Sequence, residues 1–542
     1  MPLRSGRTRG VQVGRRCALP LPTLLLLLAT CFTLCACFPA AQGKASEEDK
    51  DRPPKQPNIV FILTDDLAVR DMNPNTLKHM PNLRALMEKG TTFDNAFVSN
   101  ALCCPSRATI LRGQYTHNDQ ILSNEVPLGG FKKFRYLGRE DSTVATWLDG
   151  AGYRTAMVGK YLNGYSGTYI PQGWDDWHAI NGDFLSNGLN ENGRMVDYDP
   201  DHYYLDDLLS EKASDFTRSA AGPAPPFFTT KRPFFLYLAT NAPHQPANPA
   251  PRDENAYPDI KLPHPPNFDE KDVSDKPGWI KDNPRLSPEQ RGYMKELHRR
   301  RLQSMLAVDD MIGKLVKTLK ERGALENTYI FFTSDHGFHL GEHRLGAGKW
   351  TPYEEDIRVP LVVRGPGVPE GESRDQLVLN NDLAPTLADL AGAKTPSFVD
   401  GRSLVPLLGD HTPLEKDWRK RFVVESVAER GGAPKPHLID ESTFAPLLTG
   451  DPLPNNWRRT SVARARVSEE WGRPWMKALR TEDYLYVEYK TGEHELYDLR
   501  EDPYELHNEY TTAPPDLKQK LEKQLDALRK CEAQQCRTAE GG

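Results

Sequence analysis

Residues 58–66 read "NIVFILTDD". From Ile59 to Thr64 every side chain is apolar or β-branched, so no face is left for water. The run therefore predicts a strand buried on both sides within a parallel sheet. It stops at two carboxylates, Asp65 and Asp66. Open α/β sheets collect their ligands beyond the carboxyl ends of their strands. One short stretch thus predicts a fold and points to a site.

The pattern recurs. "RPFFLYLATNAPH" (232–244) is a buried strand running into a polar turn that carries His244, and "TYIFFTSDHG" (328–337) is another that ends at Asp335 and His336. "VPLVVRGPG" (359–367) adds a strand closed by a Gly-Pro turn. Between them, "MPNLRALMEKG" (80–90) and "DSTVATWLDGAG" (141–152) have helical character and stop at glycine. From about Pro288 to Gly323, Leu302, Met305, Leu306, Ile312 and Leu315 fall at helical spacing. Strands alternating with helices predict an α/β fold, a large and mainly parallel sheet sandwiched by helices.

Past residue 410 the texture changes. A Pro- and charge-rich stretch, 409–470, gives way to "KALRTEDYLYVEYK" and "HELYDLREDPYEL", which read as two antiparallel strands and a turn. A helix in "PDLKQKLEKQLDALRKC" follows. The expected organisation is a site-bearing domain over 57–410 and a smaller C-terminal subdomain, with a short antiparallel sheet and a helix, over 411–542. The 542-residue length suits one large and one small unit, at roughly 100–250 residues per domain.

At the N-terminus, Arg4, Arg7, Arg9, Arg15 and Arg16 precede an apolar run from Ala18 to Ala41, and no acid occurs before Glu47. This reads as an export signal over 1–41, with a lipid-attachment cysteine at Cys37 as an alternative, and a flexible polar tether over 42–56. The run is short for a spanning helix and is interrupted by Pro20 and Pro22. A secreted, periplasmic or cell-surface chain without a spanning segment is expected. Losing the leader removes five arginines and no acids, which takes the net charge from −6 to −11. Such an acidic surface speaks against nucleic-acid partners. No Asn-x-Ser/Thr acceptor occurs, and a bacterial origin is expected on that ground.

Four of the eight cysteines lie in the leader. Cys531 and Cys536 sit close together near the C-terminus, where an exported chain would join them in a small disulfide. Cys103 and Cys104 remain, adjacent in "ALCCPSRATILRG" (101–113). Adjacent cysteines seldom bridge each other, so another role is needed. The acids supply a context. Asp65, Asp66 and Asp335 at strand ends would repel one another unless a cation lay between them, and hard oxygen donors suit Ca²⁺ or Mg²⁺. For "DD" alone a helix N-cap is an equal reading; "SDHG" repeats the arrangement and favours metal.

"CCPSRATILRG" resembles the sulfatase signature, Cys-x-Pro-Ser-Arg followed by five residues and a Gly. "NIVFILTDD" is similar to that family's opening strand, "GKYLNGY" to its second signature region, and "NAPHQP" to its histidine turn. "SDHGFHLGEH" and "GKWTPYEEDIRVPLVVRGPG" resemble its second metal half-site and a sulfate-binding lysine. Within the family, "GKYLNGYSGTYIPQGW", "RRRLQSMLAVDD" and "ALENTYIFFTSDHGFH" look closest to N-acetylglucosamine-6-sulfatases and heparan endosulfatases.

The resemblance implies an alkaline-phosphatase-like fold and a sulfated carbohydrate substrate, the 6-O-sulfate of glucosamine. It implies that Cys103 becomes formylglycine through a formylglycine-generating enzyme during export. Asp65, Asp66, residue 103, Asp335 and His336 would hold Ca²⁺, with Mg²⁺ as the alternative. Arg107, one helical turn after Cys103, would steady the nucleophile and the acids. Lys160 and Lys349 would bind sulfate, and His244 would bind sulfate and protonate the leaving alcohol. A hydrated aldehyde offers two hydroxyls on one carbon: one attacks sulfur, and the other loses its proton so that sulfate is expelled.

One departure matters. Many sulfatases read Gly-Lys-Trp-His where this chain reads "GKYLN" (159–163), so a histidine that would accept that proton is missing. His117, in "GQYTHND", is the expected substitute, with a capping or rim-lining role as an equal reading; Asn163 is placed with it on the substrate rim. The alternatives are a broad arylsulfatase or other glycan sulfatase, a phosphatase or phosphodiesterase of the same architecture, and a non-catalytic glycan-binding homologue.

Overall fold

The computed structural model describes residues 56–182, 187–222, 232–410, 412–413, 417–427 and 474–541. The expected export signal with Cys37, nearly all of the tether, and most of the Pro- and charge-rich stretch lie outside them. At the centre is a ten-stranded sheet in the order Glu372–Arg374, Thr91–Phe93, Leu361–Arg364, Thr328–Ser334, Asn58–Thr64, Phe234–Ala239, Arg154–Gly159, Asp176–Ile180, Asn187–Glu191 and Arg194–Tyr198. Its middle is parallel: Asn58–Thr64 pairs with Thr328–Ser334 and with Phe234–Ala239, which pairs in turn with Arg154–Gly159. Antiparallel pairings flank this middle, at Leu361–Arg364 and at the last two strands.

The alternation along Asn58–Thr64 shows why the strand had to be apolar throughout. Ile59, Phe61 and Leu63 join one hydrophobic cluster, and Val60 and Ile62 join another. The second is covered by helices Pro81–Glu88, Leu205–Ala220 and Pro288–Glu321. The first is covered by Cys103–Arg112, Val144–Gly150 and Leu383–Ala391. The 34-residue helix Pro288–Glu321 begins with Ser287 and Gln290 capping each other's backbone amides, which satisfies donors that would otherwise be orphaned.

The C-terminal sheet has four antiparallel strands, Arg421–Ser426, Met476–Thr481, Tyr484–Tyr489 and His494–Asp498. "KALRTEDYLYVEYK" holds two of them, folded back at Glu482-Asp483, and Arg421–Ser426 joins from before the undescribed stretch. Its core residues Phe422, Leu479, Val487 and Leu496 belong to the same cluster as Phe61. Helix Pro515–Leu528 covers it, and Cys531 and Cys536 form a disulfide.

Three groups where this sheet meets the main body titrate unusually. Burial, aided by the charge of Glu342, pushes the Glu355 carboxyl up to about 8. Burial also pushes Glu270 up to about 8 and lifts Glu505 well above the carboxylate range. The folded chain therefore binds protons that the unfolded chain has released. That contribution is fully present below the ordinary glutamate pKa and is lost as pH rises through 8. Asp66 and Glu425, held down at about 2, act oppositely, and their contribution fades only as pH falls below the usual carboxylate range. The thermal midpoint should thus be higher at about pH 5.5 than at about pH 8.5, and Glu355→Gln should flatten the difference. An equal or lower midpoint at the acidic value in differential scanning calorimetry would refute this.

Candidate active site

The parallel strands end at one edge, in register. Thr64 lies beside Ser334, Leu63 beside Ala239, and Gly159 also beside Ala239. The residues just beyond are Asp65, Asp335, Lys160 and the turn to His244, so the sheet alone brings distant parts of the chain together. Gly159, at φ +106°, has no room for a side chain, since a Cβ would lie 1.8 Å from the Ala239 carbonyl oxygen. Only glycine lets this strand pass directly to Lys160.

Cys103 is the first residue of helix Cys103–Arg112, all of which is buried, and Gly113 ends the helix in the left-handed conformation. The backbone amide of Cys104 donates to Asn124 Oδ1 at 2.9 Å, which satisfies one free amide of the first turn. One turn on, Arg107 Nε donates to Asp335 Oδ2 at 2.8 Å and Nη1 to the Lys160 carbonyl at 2.8 Å, while Nη2 lies 3.6 Å from Asp65 Oδ2. Asp65 and Asp335 together raise the guanidinium's pKa against the cost of burial.

Around the Cys103 sulfur, Lys349 Nζ stands at 3.2 Å and His336 Nε2 at 3.4 Å. Lys349 also reaches Asp66 Oδ1 at 2.8 Å, and Lys160 pairs with Asp65. His336 Nε2 is 3.3 Å from Asp66 Oδ1, and His244 Nε2 is 3.9 Å from Asp66 Oδ2. Burial alone would raise the Cys103 thiol; Lys160 and Lys349 outweigh it and hold the thiol well below its ordinary value. Burial likewise opposes ionisation of Asp66, and Lys349, His244 and His336 overcome it. Cys104, its neighbour, lacks such cations, and burial pushes it up to about 12. The two thiols differ as a reactive group and a packing group do.

The donor set fits a divalent cation. One ligand atom each from Asp65, Cys103, Asp335 and His336 lie within 4.8 Å of one another, and so do those of Asp65, Asp66, Cys103 and His244. Asp65 Oδ1 is buried with no hydrogen-bond partner among the described residues. Burial disfavours the His336 imidazolium, yet Asp335 and Asp66 carry it up to about 9. The carboxylates thus demand positive charge, which a cation bound to neutral imidazole would supply.

Nine sequence-predicted residues therefore share one buried cluster: Asp65, Asp66, Cys103, Arg107, Lys160, His244, Asp335, His336 and Lys349. Two do not join it. His117 lies beyond the far end of helix Cys103–Arg112, about 15 Å of helix from its first residue. Its Nδ1 bonds Glu425 of the C-terminal sheet at 2.7 Å and its Nε2 bonds the carbonyl of Cys531, after helix Pro515–Leu528, at 3.0 Å, so both ring nitrogens are engaged by the C-terminal part of the chain. The expectation that His117 replaces the missing histidine is corrected on that ground. Asn163 lies on the loop after Lys160 and contacts an earlier helix, Gly130–Tyr136; its carbonyl accepts from the Phe131 amide at 2.8 Å.

Sequence reasoning missed the supports. Arg301, 1% exposed, donates to the carbonyls of Asp66 and Pro243 and pairs with Asp71 at 3.4 Å. It ties together the two turns that carry Asp66 and His244. A signal was present, since Arg301 falls on the apolar stripe of Leu297 and Met305, where a charge needs a partner. Ser106 donates to the Asp335 carbonyl and accepts from Asn380 at 2.9 Å. Nothing in the sequence marked Asn380.

The family model described as Sulfatase matches residues 57–393. A *Drosophila melanogaster* protein named as an extracellular sulfatase SULF-1 homolog is 36% identical over 69% of this chain. The chain spans 33% of that protein's length, and 53% of a similar *Caenorhabditis elegans* relative. Human N-acetylglucosamine-6-sulfatase is 32% identical over 99% of this chain and 94% of its own length. A solved structure described as in complex with its substrate, D-glucosamine-2-N,6-O-disulfate, shares the fold at a TM-score of 0.67 and 24% identity, covering 89% of this chain and 99% of that one. The expected bacterial origin is not supported, because animal and algal relatives are close.

Proposed function

The chain belongs to the sulfatase family, and from that premise we propose that it removes 6-O-sulfate from N-acetylglucosamine-type units of glycosaminoglycans. The observation that carries this reading is the single buried cluster in which six separate stretches of chain place three carboxylates, a cysteine, and Arg107, Lys160, His244, His336 and Lys349 together. The named activities of the full-length human and *Bacteroides thetaiotaomicron* relatives support the sugar and the position. We place the protein outside the cell, as the extracellular relatives suggest; among the described residues no helix is long and apolar enough to cross a membrane.

A formylglycine hydrate at residue 103 would supply a nucleophilic hydroxyl, and a divalent cation, Ca²⁺ by its oxygen-rich set, would lower that hydroxyl's pKa and polarise a sulfate oxygen. Asp65, Asp66, Asp335 and His336 would hold the ion. Lys160 and Lys349 neutralise the sulfate and orient it toward residue 103. The Nδ1–H of His244 donates to the Gln245 carbonyl at 2.7 Å, which leaves Nε2 facing the site. A proton at Nε2 passes to the leaving sugar oxygen. Arg107 touches no substrate in this scheme; it holds Asp65, Asp335 and the Lys160 carbonyl in place.

The test is co-expression with a formylglycine-generating enzyme, then assay of glucosamine-6-sulfate, 4-nitrocatechol sulfate and matched phosphate esters. Turnover of the sugar sulfate well above the others is expected, with aldehyde mass at the Cys103 peptide. Preference for the aryl ester would favour an arylsulfatase, and preference for phosphate esters would overturn the reading.

A further inference from the structure

Where the C-terminal sheet meets the main body, a second set of metal-ligating side chains shares no residue with the catalytic cluster. One ligand atom each from His343, Glu355 and Glu505 lie within 4.8 Å of one another. They come from separate parts of the chain. His343 is on the turn after the short strand His339–Leu340, and Glu355 is in helix Glu354–Ile357. Glu505 follows His494–Asp498, the last strand of the C-terminal sheet. Lys349 lies midway between His343 and Glu355 in sequence.

The imidazole is set as a metal ligand is. Asn267 Nδ2 stands 3.3 Å from His343 Nε2 and 2.8 Å from Glu355 Oε1. An amide nitrogen only donates, so Nε2 is an acceptor and the ring proton sits on Nδ1. Nδ1 in turn lies 2.7 Å from Glu270 Oε2, and such an outer carboxylate fixes the tautomer and orientation of a ligating histidine. The Tyr353 ring, 4.2 Å from the imidazole between centroids, closes one side.

The oxygens beside it lack partners. Glu505 Oε1, Glu355 Oε2 and Asn267 Oδ1 are buried with no hydrogen-bond partner among the described residues. Glu505 is 1% exposed and Asn267 is fully buried. Neither glutamate forms an ion pair among the described residues, because the cations around them are committed. Arg70 pairs with Glu342, Arg480 with Glu354, and Lys276 with Glu270, the Tyr497 hydroxyl and the Glu505 carbonyl. Buried carboxylate oxygens left without donor or counter-charge are costly, and a cation held between them removes that cost.

We propose that His343, Glu355 and Glu505 form a second divalent-cation site that takes Zn²⁺ and clamps the C-terminal sheet to the segment carrying Lys349. One imidazole nitrogen and two carboxylates, with the Asn267 amide oxygen to complete four donors, make a mixed set of the size zinc prefers. Calcium asks for six to eight oxygens, which this set does not offer. The inference stands apart from the sulfatase chemistry, since the site is read by metal content and stability. Cation and proton compete for these oxygens, so the acid-side stability described for Glu355 and Glu505 belongs to the chain stripped of metal.

The test strips the full-length chain with EDTA, dialyses it against Ca²⁺ with micromolar Zn²⁺, and counts metals by inductively coupled plasma mass spectrometry. Glu505→Gln and Glu355→Gln should each hold about one zinc per chain fewer than wild type. The same difference should persist in an Asp65→Asn background, where the catalytic cluster has lost a ligand. In that background Zn²⁺ should raise the thermal midpoint of the stripped chain by about 4 °C, and adding Glu505→Gln should abolish the rise. Glutamine keeps the shape and removes an unpaired buried charge, so the stripped Glu505→Gln chain should melt no lower than its parent, which separates a lost ligand from a lost fold. Equal zinc in wild type and both variants overturns the site. So does a difference that vanishes in the Asp65→Asn background, because the zinc would then belong to the catalytic cluster.

Discussion

Cys103→Ser should lose steady-state sulfate release by on the order of 10³-fold or more, while Cys104→Ala stays near wild type. The two side chains are neighbours in sequence and equally buried, so burial does not separate them. Their surroundings do. Cys103 sulfur faces Lys349, His336 and, through its charge, Lys160; Cys104 faces backbone and apolar groups and is pushed up to about 12. A serine at 103 keeps one hydroxyl in this electropositive setting and can still attack sulfur. It has no second hydroxyl on the same carbon, so the sulfate ester it forms has no internal route to release. The expected record is a stalled enzyme whose residue-103 peptide gains the mass of one sulfate. Steady turnover by the serine variant, or loss of activity in Cys104→Ala without loss of folding, would place the nucleophile elsewhere.

Arg107→Leu should cost about 3–5 kcal/mol of stability and remove activity with it. The guanidinium, fully buried, is shared between Asp335, Asp65 and the Lys160 carbonyl. Leucine fills similar space yet leaves two carboxylates in a dry interior without that partner, and removing one member of such a group exposes the full penalty of burying the rest. Arg107→Lys retains the charge but not the fork that reaches three acceptors, so it should fall between the two. The exposed Lys89–Glu370 pair is the contrast; Lys89→Ala should leave the urea midpoint unmoved, because water and salt already screen that charge. A urea midpoint for Arg107→Leu equal to wild type would show that Arg107 does not hold the two half-sites together.

Where sequence reading failed, it failed for a definable reason. The strands Asp176–Ile180, Asn187–Glu191 and Arg194–Tyr198 are short and polar, and they became part of the large sheet by pairing at its edge rather than by hydrophobic period. His117 carried the right chemistry for a proton acceptor, but a histidine has no address until the helix ahead of it has a direction. The supports Arg301 and Asn380 act from helices far along the chain, and only the first left a trace as a charge on an apolar stripe.

The amino-acid order alone was enough for the alternation of buried strands and helices, the acids at the strand ends, and the pairing of Cys103 with Arg107 one turn later. Each is local: a period of two or of 3.6, a terminus, a spacing within one helix. Which thiol would be acidic and which histidine would stay out of the cluster were decided by the folded chain. Those properties depend on the distance between groups hundreds of residues apart and on the water excluded between them, and neither exists until the sheet has set its register.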